Sequence, residues 1–320
     1  MTALERYAHQ RDKFLFYAAN ALRLLVPGAL ARRSLPRLLA RLEHYDAEEL
    51  RARVGYCARL SQGSRLGEDA VSIGSFRDVR RWTYFFDLRA TLVHFDPRLR
   101  FHYVFGDVTR VPEHPAFVKS RPIGPGNENS VLLKLNRIRH FRFVEDRRPF
   151  LAKRPLLVWR GNARHEPRRA VLRRFHAHPR CDVGHTGRLA LEPAWHKPPL
   201  SIREQLEYKY VLNVEGNDVA TSLKWAMASQ SLCLMVRPKY ETWFLEGQLE
   251  PGRHYVELAE DYSDLEARLD HYEAHPEEAQ AIIANANRHV AQFRDPERER
   301  LIALLVAARY FERTGQAPAG

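Results

Sequence analysis

The order of apolar and helical segments between residues 151 and 293 is the strongest constraint on how this chain folds. Five short apolar runs are separated by segments with helical spacing, and such an alternation predicts a parallel, doubly wound sheet. The runs are LLVW, CDV, YVLNVE, SLCLMV and HYVEL. This half of the chain is therefore predicted to be an α/β domain that binds ligands beyond the carboxyl ends of its strands.

The first half has a different pattern and is predicted to be a separate domain, residues 1–150. Helical spacing extends to about Arg51, a strand is predicted over Leu99–Val108, and the charged, proline-containing segment Asp146–Pro155 is typical of a linker. The second domain is then residues 151–293. The last amphipathic helix, residues 294–314, is expected to cross back and pack on the first domain.

Charge and cysteine content narrow the class of partner and compartment. The 320-residue chain has a net charge of +12, so it attracts polyanions such as nucleic acid, anionic lipid or phosphorylated glycans. No helix-turn-helix, zinc-finger or aromatic-basic RNA-binding signature accompanies this charge, which weakens the nucleic-acid interpretation. Cys57, Cys181 and Cys233 are not closely paired, which favours a reducing compartment.

The segment Lys13–Arg33 combines an apolar run with basic flanks, as a secretory signal does, but Arg23 interrupts the run. We therefore expect an amphipathic helix that either packs on the first domain, the preferred interpretation, or lies in a membrane interface. Its apolar side is predicted to contain Phe14, Tyr17, Ala18, Ala21, Leu22 and Leu25. No run of about 20 apolar residues is present, so no transmembrane helix is expected.

The stretch YVLNVEGNDVATSLKW changes abruptly from an apolar strand to glycine, amide, acid and hydroxyl residues before a predicted helix. Gly216 permits close approach of the backbone, the residues after it are small, and Lys224 adds a cation. Because the first turn of a helix exposes amide groups and the positive end of its dipole, this corner is a candidate anion site. The alternative is an ordinary turn capped by Asn217 or Asp218.

A second corner of the same kind lies in the sequence VWRGNARHEPRR. Arg160 ends the predicted strand, Gly161 makes the turn, and a helix follows with Pro167 in its first turn. An arginine at this place can bind a phosphate through two hydrogen bonds, or it can form a salt bridge within the domain. Two cationic corners on one parallel sheet would suit a diphosphate.

The chain contains, in order, the blocks FGDVTRVPEHPAFVKSRPI, NSVLLKLNRIRHF, VWRG, YKYVLNVEGNDVATSLKW, PKYETWF, GRHYVELAEDYSDLEARL and HPEEAQAIIANA. Together they resemble glycosyltransferase family 90, from about Leu99 to Phe293. The first two blocks are most similar to the branch that acts on bacterial lipopolysaccharide cores.

The resemblance implies a GT-B-like α/β fold, in which two Rossmann-like domains with N-terminal helices face a cleft and the C-terminal domain binds the nucleotide sugar. It implies an inverting transfer of a hexose or pentose from a UDP-sugar to a hydroxyl of a lipopolysaccharide core or similar surface glycan, with no cofactor and no metal. The sequence has no Asp-x-Asp motif, no Walker loop and no Gly-x-Ser-x-Gly elbow. A nucleic-acid-binding protein and a non-catalytic nucleotide-sugar-binding relative are the alternatives.

The expected partners are therefore a UDP-sugar and a lipid-linked or phosphorylated oligosaccharide. We expect the protein in the cytoplasm, where peripheral contact with the inner face of an anionic membrane would agree with the positive charge and the N-terminal helix.

Site residues also follow from the resemblance. Asp107 matches the acid that acts as catalytic base, and the alternative is a carboxylate that only caps its loop. Glu215 and Asp218 are the other candidates for the base. Arg160, with Gly161 beside it, matches an arginine that grips the diphosphate. The predicted donor loop comprises Glu215, Gly216, Asn217, Asp218, Val219, Ala220, Thr221, Ser222 and Lys224.

At Ser222 the chain departs from the animal members of the family, which have an arginine there. One phosphate contact is therefore expected either to be missing or to come from elsewhere, for example from Lys119 or Arg121. These two residues, in a predicted loop of the first domain, are also candidates for binding an anionic acceptor, with solvated surface charge as the alternative. A zinc site is the weaker interpretation of four residues whose spacing matches no common finger: His176, His178, Cys181 and His185.

Overall fold

The structure is a computed structural model that describes residues 3–24 and 27–316, and for residues 3–10, 12, 13, 23 and 79 it describes the backbone alone. The described chain divides into two compact units. The N-terminal unit contains residues 12–138, 240–244 and 293–316, and the C-terminal unit contains residues 3–11, 139–239 and 245–292.

The first part of the chain is mainly helical and continues into short strands. Its elements are α1 (Ala3–Leu24), α2 (Gly28–Ala40), α3 (Ala47–Cys57), β1 (Val71–Ser72), α4 (Trp82–Leu92), β2 (Arg100–Val104), β3 (Ala116–Val118), β4 (Ser120–Pro122), β5 (Ser130–Leu132) and α5 (Arg137–His140). Short 3-10 turns lie at Arg41–His44, Val79–Arg81 and Phe150–Ala152.

The second part alternates strands and helices, as its sequence predicts. Its elements are β6 (Arg154–Gly161), α6 (Glu166–Phe175), β7 (Cys181–His185), α7 (Ile202–Gln205), β8 (Tyr208–Leu212), α8 (Leu223–Met227), β9 (Leu232–Val236), β10 (Tyr240–Thr242), β11 (Val256–Leu258), α9 (Leu265–Ala274), α10 (Pro276–Ala291) and α11 (Pro296–Arg313). Further 3-10 turns lie at Pro193–Trp195 and Glu246–Gln248.

The C-terminal unit is built on a five-stranded parallel sheet, so the prediction of a parallel α/β sheet is confirmed. The strand order is β11-β9-β8-β6-β7. Counted along the chain from β6, this is the order 2-1-3-4-5, which reverses direction between β6 and β8. In open α/β sheets, ligands bind beyond the carboxyl ends of the strands at such a reversal.

The N-terminal unit has a four-stranded sheet with the order β1-β2-β3-β5, in which β2, β3 and β5 are parallel. The last helix, α11, belongs to this unit and packs on α3 and α4. The ring of Tyr310 on α11 lies 4.3 Å from that of Phe117 on β3, and its hydroxyl donates to the carbonyl of Pro115 at 2.7 Å. Aromatic packing thus attaches the end of the chain to the first sheet.

Strand β10 belongs to the N-terminal unit, although the sequence predicts it to be part of the second domain. Residues 240–244 are flanked by the C-terminal unit in sequence but belong to the N-terminal unit, where β10 pairs antiparallel with β4. The segment AFVKSRPI, predicted as a polar loop, therefore contains β3 and β4 instead. Because β3 pairs with β2 and β5, and β4 pairs with β10, this basic stretch is buried. The partner strands are distant in sequence, so the local pattern of residues does not predict the burial.

Helix α1 packs on α4 mainly through residues outside the predicted apolar side. Phe16 lies 6.2 Å from the ring of Phe86 on α4, and Asn20 is buried. Phe14 and Leu22, on the predicted side, are exposed, and Leu25 lies outside the described residues. Packing on the first domain, the preferred interpretation, is therefore confirmed for α1, but of the described residues on the predicted side only Tyr17 has a ring contact with α4, at 6.3 Å from Phe86. None of the helices in residues 3–24 and 27–316 has the length and apolarity needed to cross a membrane.

Candidate functional site

A cavity of about 370 Å³ opens at the carboxyl ends of β8 and β9 in the C-terminal unit. The strands end here in short segments, Asn213–Glu215 after β8 and Arg237–Lys239 after β9, and the first turn of α6 forms another part of the wall. Much of the wall is apolar, and its apolar residues include Val214, Val219, Ala220, Leu223, Val236 and Pro238. A cavity of this size and polarity suits a flat organic group such as a nucleobase.

Carboxylates and one lysine add polar groups to the cavity. Glu215 accepts a hydrogen bond from the backbone N–H of Lys239 at 3.1 Å, and the Lys239 ammonium pairs with Glu260 at 2.9 Å. Their acceptor oxygens can bind hydroxyl groups of a ligand.

Tyr262 closes another side of the cavity and has an unusual backbone. Its φ is +59°, in the left-handed region that a bulky residue rarely occupies. Burial raises the pKa of its hydroxyl to about 12, and the negative charge of Glu215 acts in the same direction, whereas Arg168 opposes the shift. Strained residues of this kind cluster at ligand sites, and Tyr262 is therefore a candidate contact residue.

Arg168, which is not among the residues predicted from the sequence, links the two predicted corners. Its Nη1 donates to the carbonyl of Asn162 after β6 at 3.1 Å, and its Nε and Nη2 donate to the carbonyl of Val214 after β8 at 3.3 and 3.2 Å. A Cβ added to Gly216 would lie 2.9 Å from Nη2. The guanidinium therefore lies at the reversal of strand order, where the prediction placed an anion.

The helix expected after Gly216 is shorter than the sequence suggests. The prediction was a helix over VATSLKWAMAS, but α8 contains only Leu223–Met227. One turn of helix exposes few amide groups and has a small dipole, so the predicted length of the helix is wrong and the helix gives little support to an anion site, which remains a prediction. The anion-binding potential of the corner comes from Arg168 instead.

Three residues of the predicted donor loop, Glu215, Val219 and Ala220, line the cavity. The backbone N–H of Gly216 donates to the carbonyl of Asp218 at 3.1 Å, which forms a tight turn. Capping by Asn217 or Asp218, the alternative to a ligand site, is wrong, because α8 begins at Leu223 and its N-cap residue is Ser222.

The remaining members of the loop have other surroundings. Asp218 is buried, Asn217 is exposed, and Thr221 is half-buried. The hydroxyl of Ser222 donates to Asn213 Oδ1 at 2.7 Å, so this side chain supports the segment that follows β8. Donor contacts by these residues remain predictions.

Lys224 is completely buried and forms an ion pair with Glu246, which lines the cavity. The ammonium thus neutralises a carboxylate next to the cavity and does not itself line it. A direct contact of Lys224 with a phosphate remains a prediction, and the geometry favours a structural role.

Arg160 is held inside the C-terminal unit. Its Nη2 pairs with Asp182 on β7 at 2.8 Å, its Nη1 donates to the carbonyl of Asp182 at 2.6 Å, and its Nε donates to the carbonyl of Pro198 at 3.1 Å. This is the salt bridge within the domain that was the alternative for Arg160. Gly161 follows at the end of β6, and its carbonyl accepts a hydrogen bond from Thr186 at 3.0 Å. The diphosphate contact of Arg160 remains a prediction.

Asp107 and Lys119 form a pair in the N-terminal unit. Lys119 Nζ lies 2.7 Å from Asp107 Oδ1, with the lysine side chain 2% exposed and the aspartate side chain 38% exposed. Gly106, with φ of +109°, makes the turn before the aspartate, and the hydroxyl of Ser120 accepts from the N–H of Val108 at 3.1 Å. A buried ammonium therefore holds a partly exposed carboxylate in place.

Arg121 is also buried rather than solvated. Its Nε pairs with Glu241 on β10 at 2.7 Å, and its terminal nitrogens donate to the carbonyls of Tyr56 and Ser130 at 2.7 and 3.0 Å. Surface charge, the alternative for Lys119 and Arg121, is therefore wrong for both. A role in acceptor binding remains a prediction for which the burial gives no support.

The four residues considered for zinc bind different partners. His176 contacts the carbonyl of Leu172, and His178 contacts Glu266 at 2.8 Å. His185 accepts a hydrogen bond from the N–H of Ala163 at 3.0 Å, and burial raises the pKa of Cys181 to about 12. Each residue thus has its own structural role.

Comparison with known proteins relates this site to a family. Residues 135–296 match the family model described as Glycosyl transferase family 90. The O-glucosyltransferase LpsA of Dichelobacter nodosus is 47% identical over 311 residues, which are 96% of this chain and 98% of that protein. Protein O-glucosyltransferase 3 of Homo sapiens is 30% identical over 113 residues, 35% of this chain and 22% of that protein. The family match contains the cavity and Arg168.

Proposed function

Because the chain belongs to glycosyl transferase family 90, we propose that it is an inverting enzyme that moves glucose from UDP-glucose to a hydroxyl of a lipopolysaccharide core or a similar surface glycan. Glycosyltransferase activity itself follows from the family and from the near-full-length similarity to an O-glucosyltransferase. Glucose, rather than another hexose or a pentose, is supported by the activity in the name of that relative.

The observation that best supports a nucleotide-sugar donor is the position of Arg168 beside the apolar cavity. We assign the nucleobase to the apolar part of the cavity and the ribose hydroxyls to the carboxylates of Glu215 and Glu260. The diphosphate then lies near the guanidinium of Arg168. A cation at this place stabilises the charge that develops on the departing nucleoside diphosphate when the bond to the sugar breaks.

Asp107 is proposed as the base that removes the proton from the acceptor hydroxyl. The support is its accessible carboxylate and the buried ammonium of Lys119, which holds one of its oxygens. Because Lys119 is almost completely buried, we propose that it positions the base, and that contact with the acceptor is a less suitable role for it.

The wider proposal is a metal-independent reaction in a GT-B-like enzyme at the cytoplasmic face of a membrane. Its support is the parallel sheet of the C-terminal unit and the absence of an Asp-x-Asp motif from the sequence. The buried thiols of Cys57, Cys181 and Cys233 are compatible with a reducing compartment.

A donor test comes first, because it separates the enzyme from a binding-only relative. We expect UDP to raise the melting temperature more than CMP or a short oligonucleotide, since binding to the folded state stabilises it. In a panel of UDP-sugars, slow hydrolysis should be fastest with UDP-glucose. Stabilisation by UDP without hydrolysis or transfer of any sugar would favour a non-catalytic relative.

The Asp107→Asn variant tests the base. Removal of a general base is expected to lower turnover by roughly 10²–10⁴-fold, while the affinity for UDP stays unchanged. Asp69→Asn, at another exposed aspartate of the N-terminal unit, is the matched control. Equal turnover of Asp107→Asn and wild type would remove Asp107 from the mechanism.

A further inference from the structure

Helix α1 has two apolar faces that point in opposite directions. One face packs on α4 through Phe16 and buries Asn20. The other face, which we call the outer face of α1, consists of Phe14, Leu15 and Leu22, with exposed fractions of 70%, 55% and 66%. Leu15 and Leu22 lie one and eight positions after Phe14, so the three side chains lie within about 100° of one another around the helix axis and share one side of α1. Three large apolar side chains together on a surface are a sign of an interaction site.

Helix α2 also exposes a large apolar side chain, and beside it this helix exposes arginines. No residue of α2 is fully buried, and Leu30 is 54% exposed. Arg33 and Arg37 are exposed and lie three and seven positions after Leu30, on the same side of the helix. Residues 11–41 contain seven basic residues and a single acidic one, Asp12. Apolar and basic side chains are therefore exposed together in these helices.

We propose that α1 and α2 dock this protein on an anionic lipid surface. In this arrangement Phe14, Leu15 and Leu22 enter the interface between headgroups and acyl chains, and Arg33 and Arg37 contact the headgroups. The inference rests on the proposed function in one respect only, because a lipid-linked acceptor gives the enzyme a reason to be at a membrane.

Charge decides between lipid and a second copy of the chain as the occupant. A symmetric dimer would bring the same basic segment of both copies together, and like charges repel. An anionic membrane instead neutralises them. Each apolar side chain that enters the interface is expected to strengthen binding by on the order of tenfold, and each arginine by roughly fivefold.

Vesicle flotation of the full chain tests the proposal without any donor. We expect wild type to float with phosphatidylcholine vesicles that contain one third phosphatidylglycerol, and not with phosphatidylcholine alone. Phe14→Ser with Leu22→Ser should lower the partition coefficient by on the order of 100-fold, and Arg33→Gln with Arg37→Gln by roughly 25-fold. The matched controls are Leu151→Ser with Leu189→Ser, at other exposed leucines, and Arg147→Gln with Arg253→Gln.

A labelling experiment provides a second measurement that does not depend on loss of binding. The three native cysteines are buried, and burial raises the pKa of each thiol, so they react slowly with an alkylating dye. An environment-sensitive dye on Leu22→Cys should brighten with anionic vesicles, whereas the same dye on Leu151→Cys should not.

The outcomes separate this proposal from the proposed function. Flotation and dye response that are the same for the variants and the controls would overturn the lipid surface, even if transfer of glucose is demonstrated. A dimer in light scattering that Phe14→Ser with Leu22→Ser dissociates, with no binding to vesicles, would also overturn it in favour of a second copy. Vesicle binding without any transfer activity would support the surface and reject the proposed function.

Discussion

The guanidinium of Arg168 lies so close to Gly216, beyond the end of β8, that a side chain at residue 216 would contact it. A side chain at Gly216 would lie 2.9 Å from Nη2 and 3.1 Å from Cζ of the arginine. The backbone of Gly216 is not in the left-handed region, so an alanine there would meet only the movable end of a side chain. The glycine is thus required by the close approach of a guanidinium.

This relation predicts that Gly216→Ala keeps the fold but moves Arg168. We expect the free energy of unfolding to change by less than about 1 kcal/mol and the affinity for UDP to fall by roughly tenfold, since one charge-assisted contact is misplaced. Arg168→Lys should lower the affinity by a similar factor, because lysine cannot reproduce the two-sided hydrogen bonding. Titration calorimetry with UDP measures the affinity of both variants, and Arg164→Lys, at an exposed arginine, is the control. Unchanged affinity in both variants would exclude Arg168 from the diphosphate site.

Lys119 allows a test of positioning against acceptor binding. Removing its ammonium in Lys119→Met leaves Asp107 without the partner at 2.7 Å that holds its carboxylate. We expect kcat to fall by roughly tenfold to 100-fold, with the KM for the acceptor and the affinity for UDP nearly unchanged. A raised KM with unchanged kcat would instead support the earlier prediction that Lys119 binds the acceptor.

At the scale of elements, one carboxylate connects three neighbouring strands of the C-terminal sheet. Asp182 on β7 accepts hydrogen bonds from Arg160 on β6 at 2.8 Å, from Tyr208 on β8 at 2.6 Å and from Lys197 at 2.9 Å. Burial alone would raise its pKa, but the hydrogen bonds from these three residues outweigh burial and hold the pKa at about 2. Arg160 is therefore part of a structural network around Asp182.

The lowered pKa makes a prediction about acid stability. A carboxyl group with a folded-state pKa of about 2 and an ordinary value of 3.8 stabilises the fold above about pH 4, and this contribution is lost as the pH falls towards 2. Asp182→Asn should thus lower the free energy of unfolding by about 1 kcal/mol at pH 7, since the side chain is 24% exposed and solvent screens its charge.

Urea unfolding at a series of pH values checks this expectation. The difference between wild type and Asp182→Asn should shrink as the pH falls from about 4 towards 2. Asp270→Asn, which removes an exposed ion pair with Arg180, should show little difference at any pH. A difference for Asp182→Asn that does not vary with pH would contradict the proposed charge network.

For the whole molecule, the important feature is that the chain leaves the C-terminal unit at residue 240 and returns at 245. The inserted segment contributes Trp243, a completely buried residue. Its indole N–H donates to Glu299 at 2.6 Å, and its carbonyl accepts from Arg53 at 2.8 Å. Residues from three distant parts of the sequence thus meet in the N-terminal unit.

Trp243→Ala is expected to destabilise the protein strongly. The loss of a buried indole and the cavity left behind should lower the free energy of unfolding by about 3–5 kcal/mol. Trp82→Ala, at a partly exposed tryptophan of the same unit, should cost much less. Urea unfolding followed by circular dichroism measures both. A cost below about 1 kcal/mol for Trp243→Ala would mean that the inserted segment is not part of the core.

Local patterns in the sequence determined the elements of the C-terminal unit well. The run SLCLMV and the first half of YVLNVE lie in buried strands, and Pro276 and Pro296 begin α10 and α11. These signals depend on neighbouring residues only, because strand and helix periods extend over a few positions. The same holds for the corner at Gly216, where Glu215, Val219 and Ala220 line the cavity.

The sequence by itself therefore determined the parallel sheet, the place of the candidate site on it and the family. Only the tertiary structure decided which cation lies there, because β7 brings Asp182 to Arg160 whereas the first turn of α6 brings Arg168 to Val214. It also buried Lys119, Arg121 and Lys224 against Asp107, Glu241 and Glu246. The partners of a charged side chain come from distant segments, and strand register and helix packing, which no local pattern encodes, decide whether its charge is neutralised.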